Sequence, residues 1–147
     1  MNTSNRSPGN RFRFEKLEIW HVARALNLEI YRLTQKFPAA ENYGLTSQMR
    51  RASVSTTANI AEGAGRNSDR DFAHFLEQAY ASLMELASHA YLATDLGFAA
   101  ATAIDDLLKR INGLAMRVAA LNRSLKIKTS KIELLGPSTF DGRPSTP

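Results

Sequence analysis

Glu18-x-x-His21 and Asp71-x-x-His74, together with Glu62, are residue types at spacings that could ligate a metal. A carboxylate and an imidazole three residues apart share one helix face, and di-iron helix bundles use such pairs with further carboxylates, all aimed into the core. On consecutive antiparallel helices these five groups would fall toward one end of a bundle. Their faces argue against that chemistry. Glu18 and His21 lie off the Ile19/Leu26 apolar stripe, beside Arg24 and Glu29, while Asp71, His74, Gln78, Glu85 and His89 make up a polar stripe of their own. Side chains on solvent-facing stripes cannot converge on an interior ion, so a metal-dependent oxidoreductase is the weakest functional reading, and no cofactor or metal is expected. The chain has no cysteine. It also lacks a P-loop, a dinucleotide fingerprint, a nucleophile elbow and zinc spacing, so the expectation is a protein without catalytic activity.

Basic residues offer the other chemistry, contact with phosphate. Arg50 and Arg51 are adjacent and project about 100° apart on a helix, so they cannot both line one narrow groove. Phosphate contact, an ion pair at a subunit interface and plain solvation are the alternatives for them. Lys126, Lys128 and Lys131 fall in a flexible or extended segment, where attraction to phosphate needs no fixed geometry. The net charge of +5 is concentrated at the termini: residues 1–13 and residues 123–147 each contribute +3, whereas residues 14–122 hold eleven basic and twelve acidic residues. A generally basic surface on the folded body is therefore disfavoured, and electrostatic attraction must come from the tails or from local clusters such as Arg50-Arg51.

The elements that position these groups are four helices. Ile19, Ala23, Leu26, Ile30, Leu33 and Phe37 recur at three- and four-residue steps, ending at Pro38. A second stripe runs from about Tyr43 through Leu45, Met49, Ala52, Thr56, Asn59 and Ile60, with Gly63 and Gly65 as exit residues. Ser68-Asp69-Arg70-Asp71 opens a third helix with a hydroxyl cap and acids in the first turn, and Gly97 stops it. The fourth carries Ile104, Leu107, Ile111, Leu114, Val118, Leu121 and Leu125. The short connections require consecutive helices to be antiparallel, which gives an all-α, up-down-up-down four-helix bundle. Residues 1–13 read as a flexible basic arm, residues 14–125 as the bundle domain, and residues 126–147 as a basic and then disordered tail. No apolar run is long enough for a signal peptide or a membrane span, so the expected location is the cytoplasm, with no membrane partner.

Two helices carry more apolar surface than one interior needs. Leu17, Trp20, Leu28 and Tyr31 gather opposite the Ile19/Leu26 stripe, and Val54, Ala58 and Ala61 lie opposite Leu45 and Met49, small enough for another helix to approach closely. These seven residues are the expected oligomer interface. Asn59 sits on the core stripe, where a buried amide must be paired, and a hydrogen bond across to another helix is expected. Glu62, at the helix exit beside Gly63, is expected to pair with Arg66 or Arg70.

Phe14-Glu15-Lys16-Leu17-Glu18-Ile19-Trp20, the stretch from Phe37-Pro38 through Gln48-Met49-Arg50-Arg51-Ala52, and Ser55-Thr56-Thr57-Ala58-Asn59-Ile60-Ala61-Glu62-Gly63 together carry a resemblance. Over about residues 14–122 the chain resembles the four-helix bundle family of proteins encoded within intervening sequences of bacterial 23S ribosomal RNA genes, itself similar to the accessory variability protein of diversity-generating retroelements. The resemblance implies a homopentamer and a role with RNA or a ribonucleoprotein. The expected function is thus a non-enzymatic homo-oligomeric scaffold for RNA or a ribonucleoprotein, with a scaffold that binds only proteins as the alternative.

Overall fold

The computed structural model describes residues 11–136. Four helices pack together: α1 (Glu18–Thr34), α2 (Leu45–Ala64), α3 (Asp69–Asp95) and α4 (Ala101–Leu135). Short 3-10 turns precede α1 (Arg13–Lys16) and α2 (Ala39–Glu41), and there is no strand among the described residues. α3 is the central element, packed extensively on both α2 and α4; α1 rests on α2 and meets α4 only narrowly.

The expected stripes form the core. Ile30, Met49, Ile60, Leu76, Leu83, Leu86, Ile111, Leu114 and Val118 are fully buried. On α2 and α3 much of the interior is small, with Ala52, Ser53, Thr56, Ala79 and Ala90 all buried, which lets the two helices run close together. Gly63, in the last turn of α2, also belongs to that close approach: it is buried, and a Cβ there would lie 2.8 Å from Phe72 Cδ2 and 2.8 Å from Phe75 Cβ.

Helix ends follow local chemistry. α1 stops at Thr34, short of Pro38, because the following residues turn to bury Phe37, whose ring meets that of Phe98 at 5.6 Å. Glu41 accepts the backbone N–H of Leu45 at 3.0 Å and so satisfies the start of α2. Ser68 caps α3 by accepting from the Asp71 N–H at 3.1 Å. At the other end of α3, Gly97 adopts φ +73°, and the bonds from Phe98 N–H to Ala93 and from Gly97 N–H to Thr94 make a Schellman closure.

The tail differs from expectation. α4 does not end near Leu125 but continues as a helix to Leu135, carrying Lys126, Lys128 and Lys131 with it. Leu125 is buried, Lys126 binds Glu77 of α3 at 2.5 Å, and the first turns of α3 run beside residues 126–133, so the helix retains a neighbour. The expected disorder beyond Gly136 and the flexible arm before Arg11 lie outside the described residues. Arg13 starts the first 3-10 turn, and its guanidinium donates to the Arg66 carbonyl at 3.1 Å.

Candidate nucleic-acid and subunit interface

The α1–α2 seam is stitched by side-chain hydrogen bonds. Asn27 of α1 donates to the Thr57 hydroxyl and accepts from the Ser53 hydroxyl, both on α2. This is the cross-helix amide expected of Asn59. Asn59 is only half-buried and turns back on its own helix, donating to the Ser55 carbonyl at 2.9 Å and the Ser55 hydroxyl at 3.1 Å. Its link to α3 is indirect, through the 3.0 Å contact between Ser55 and Ser82. The signal for Asn27 was available in the sequence: a lone amide one residue past Leu26, opposite hydroxyls spaced four apart on the next helix.

Above this seam lie the arginines. Arg50 Nε donates to the Thr34 hydroxyl at 2.9 Å, and its guanidinium sits over the Tyr31 ring at 4.4 Å. Arg51 is exposed. A shallow groove joins both to Tyr31, Ser47, Val54 and Ser55. About two turns before Tyr31 along α1, Arg24 lies 5.5 Å from the Trp20 ring.

The expected oligomer face is divided. Leu28 (55% exposed), Tyr31 (43%) and Val54 (46%) are open to solvent, as is Ala58, while Ala61 is half-buried. Leu17 and Trp20 instead pack at the core edge, and Trp20 meets Phe14 of the preceding segment at 4.7 Å. The N-terminal approach to α1 therefore supplies the cover that the helix pattern alone left missing.

The three tail lysines have different surroundings. Lys126 is engaged by Glu77, whose carboxyl is held below its ordinary value by the hydrogen bond and charge of that ammonium. Lys128 and Lys131 are exposed on α4. Glu62 is exposed and forms no ion pair among the described residues; Arg66, its expected partner, stacks over Phe75 at 4.6 Å.

The carboxylates and histidines that could have bound metal are dispersed. Glu18 pairs with Arg117 of α4 at 2.6 Å, His21 Nε2 meets the Glu15 carbonyl at 2.7 Å, and His74 contacts Gln78 at 3.4 Å. Among the described residues no three His, Asp or Glu side chains gather around a common point. Nor is any described helix long and apolar enough to cross a membrane. Between α1 and α4 the seam is open, with Val22, Ala25, Leu26, Gly113 and Leu114 in its floor and the Glu29–Arg110 (2.7 Å) and Glu18–Arg117 ion pairs spanning it.

No curated protein matches this chain. A crystal structure from Bacteroides thetaiotaomicron, described as a protein of unknown function from the S23 ribosomal protein family, shares its fold with a TM-score of 0.64 at 15% identity, covering 71% of this chain and 97% of that one. The family model of the 23S rRNA-intervening sequence protein matches residues 15–120, which takes in Arg50-Arg51, the Asn59-Ile60-Ala61-Glu62-Gly63 string and nearly all of the packed helices. On that match, the chain belongs to the 23S rRNA-intervening sequence protein family.

Proposed function

We propose that this protein is a non-enzymatic, cytoplasmic, self-associating scaffold that binds RNA or a ribonucleoprotein. The observation that carries the reading is family membership over residues 15–120, in a family named for an intervening sequence of ribosomal RNA. The up-down-up-down arrangement is supported by the order of the α1–α4 ion pairs, in which the later residue of α1, Glu29, meets the earlier arginine of α4, Arg110, and Glu18 meets Arg117.

Self-association is supported by exposed apolar side chains on α3 and α4. Tyr80, Met84 and Tyr91 follow one another at helical spacing on α3, Met116 is exposed on α4, and exposed apolar side chains in such numbers are of the kind that marks a protein contact. A pentamer is the ring size that the family resemblance implies. A scaffold for protein partners alone is favoured by one observation: Glu77 occupies Lys126, which removes one of the expected phosphate contacts.

Light scattering on the full chain, followed by titration with RNA at about 50 to 200 mM salt, tests the proposal. A stable oligomer with affinity that persists at the upper end supports it. A monomer, or attraction that vanishes on modest addition of salt, refutes it.

A further inference from the structure

We propose that the outer face of the α1–α2 pair is the surface that receives the RNA phosphate backbone, with Arg24 and Arg51 as its free phosphate contacts and Arg50 on Tyr31 as a fixed platform between them. This rests on the RNA-scaffold reading above. It enlarges the local Arg50-Arg51 cluster, which net charge left open, into a face, because charge in this molecule is sorted by element.

Both acids of α1 turn away from α2: Glu18 and Glu29 pair with Arg117 and Arg110 of α4. Arg24 and Arg32 are left exposed on α1. α2 contributes Arg50 and Arg51, and its one acid, Glu62, lies eleven residues further on, about 16 Å along the axis. The counterbalancing acids are on α3, where Asp69, Asp71, Glu77, Glu85 and Asp95 face a single basic residue, Arg70. A body near neutrality in total thus presents a positive α1–α2 face, and none of Arg24, Arg32, Arg50 and Arg51 is in an ion pair among the described residues.

The arginines are also pre-arranged. Arg24 is held at the Trp20 ring and Arg50 at both Tyr31 and Thr34, so each has already lost much of the rotamer freedom that binding would otherwise remove. Planar guanidinium groups beside an exposed aromatic ring suit a strand that offers phosphates and base faces in alternation. Ser47 and Ser55 add hydroxyl donors to the same groove. The chief competitor for this face is the acidic surface of α3 on a second copy.

The test uses the full-length chain, a fluorescein-labelled single-stranded RNA of about 20 nucleotides, and anisotropy titrations across about 50 to 200 mM salt. Arg24→Ala with Arg51→Ala removes two exposed contacts without touching the anchored Arg50. The slope of log affinity against log salt is expected to fall by about 1.4, with unchanged oligomer mass and helix content. Tyr31→Ala should weaken binding about tenfold at an unaltered slope, the signature of lost stacking rather than lost charge. If wild-type protein binds no RNA at any of these salt concentrations, the scaffold reading itself fails. If it binds and the double variant keeps the wild-type slope while Lys128→Ala with Lys131→Ala loses it, the surface lies on α4 and this proposal is overturned. Loss of oligomer mass with RNA affinity intact assigns the face to a subunit contact and overturns it equally.

Discussion

Replacing Gly63 with alanine adds one methyl group where α2 packs tightly against Phe72 and Phe75 of α3. The new Cβ would stand 2.8 Å from Phe72 Cδ2, 3.3 Å from Phe72 Cε2 and 2.8 Å from Phe75 Cβ, against about 3.5 to 4.0 Å for relaxed carbon contacts. The Phe72 ring can rotate, but Phe75 Cβ is fixed to the α3 backbone, so relief requires the helices to move apart by several tenths of an ångström. Overpacking of this kind costs about 1 to 3 kcal/mol, while alanine returns at most about 1 kcal/mol in helix propensity. A net loss of about 1 to 2 kcal/mol is expected. Gly113→Ala is the matched control: it receives the same gain in mid-helix, and its Cβ meets nothing within 4 Å, so it should stabilise by about 0.5 to 1 kcal/mol. Urea unfolding at one fixed protein concentration measures both. With a slope of about 1 to 3 kcal/mol per molar for a domain of this size, the two midpoints should separate by about 0.5 to 3 M, in opposite directions from wild type. A Gly63→Ala midpoint at or above that of wild type would refute the claim that glycine sets the α2–α3 separation.

Asn27→Ala should destabilise by about 1 to 3 kcal/mol in the same assay, because it strips a partner at once from the buried hydroxyl of Ser53 and from the half-buried one of Thr57; Asn59→Ala should cost less, since its bonds stay within one helix. Glu77 has a folded-state pKa below its unfolded value, so its pairing with Lys126 stabilises at pH above the ordinary carboxylate range and is lost as pH falls through the lowered value. Lys126→Ala should therefore flatten the acid limb of the stability profile, by under about 1 kcal/mol because both groups are well exposed, with no effect under conditions that already protonate Glu77. Met84→Glu places a charge among the exposed apolar side chains of α3 and should lower the assembly mass by light scattering while circular dichroism stays constant.

How much of this was readable in advance depends on whether a property belongs to one helix or to a pair. The core stripes were legible because each helix repeats its apolar residues at its own period, and the start and end of α3 were legible because Ser68 and Gly97 act locally. The end of α4 was not. Past Leu125 the helix has α3 on one side and little on the other, so the apolar stripe fades although the helix continues. The bridging amide was misplaced from Asn27 to Asn59 because both sit at the margin of a stripe, and only the position of the neighbouring hydroxyls separates them. The apolar surface at Leu17 and Trp20 is smaller than the helix pattern alone suggests, because Phe14, outside the helix, packs against Trp20. Net charge is a coarse guide for a related reason: a total takes no account of which acid is consumed by which base.

The open seam between α1 and α4 gives the bundle uneven resilience. Two rim ion pairs over an apolar floor are a poor substitute for interdigitated side chains, and they weaken as electrolyte is added, whereas the buried apolar contacts of α2 with α3 and of α3 with α4 do not depend on salt in that way. Amide hydrogens of α1 should thus exchange through a sub-global opening well below the energy of complete unfolding, with the other three helices still assembled. Residues on the outer side of α1 ride on the one helix that can loosen by itself, so whatever occupies the α1–α2 face would also decide how firmly the fourth wall of the bundle is shut.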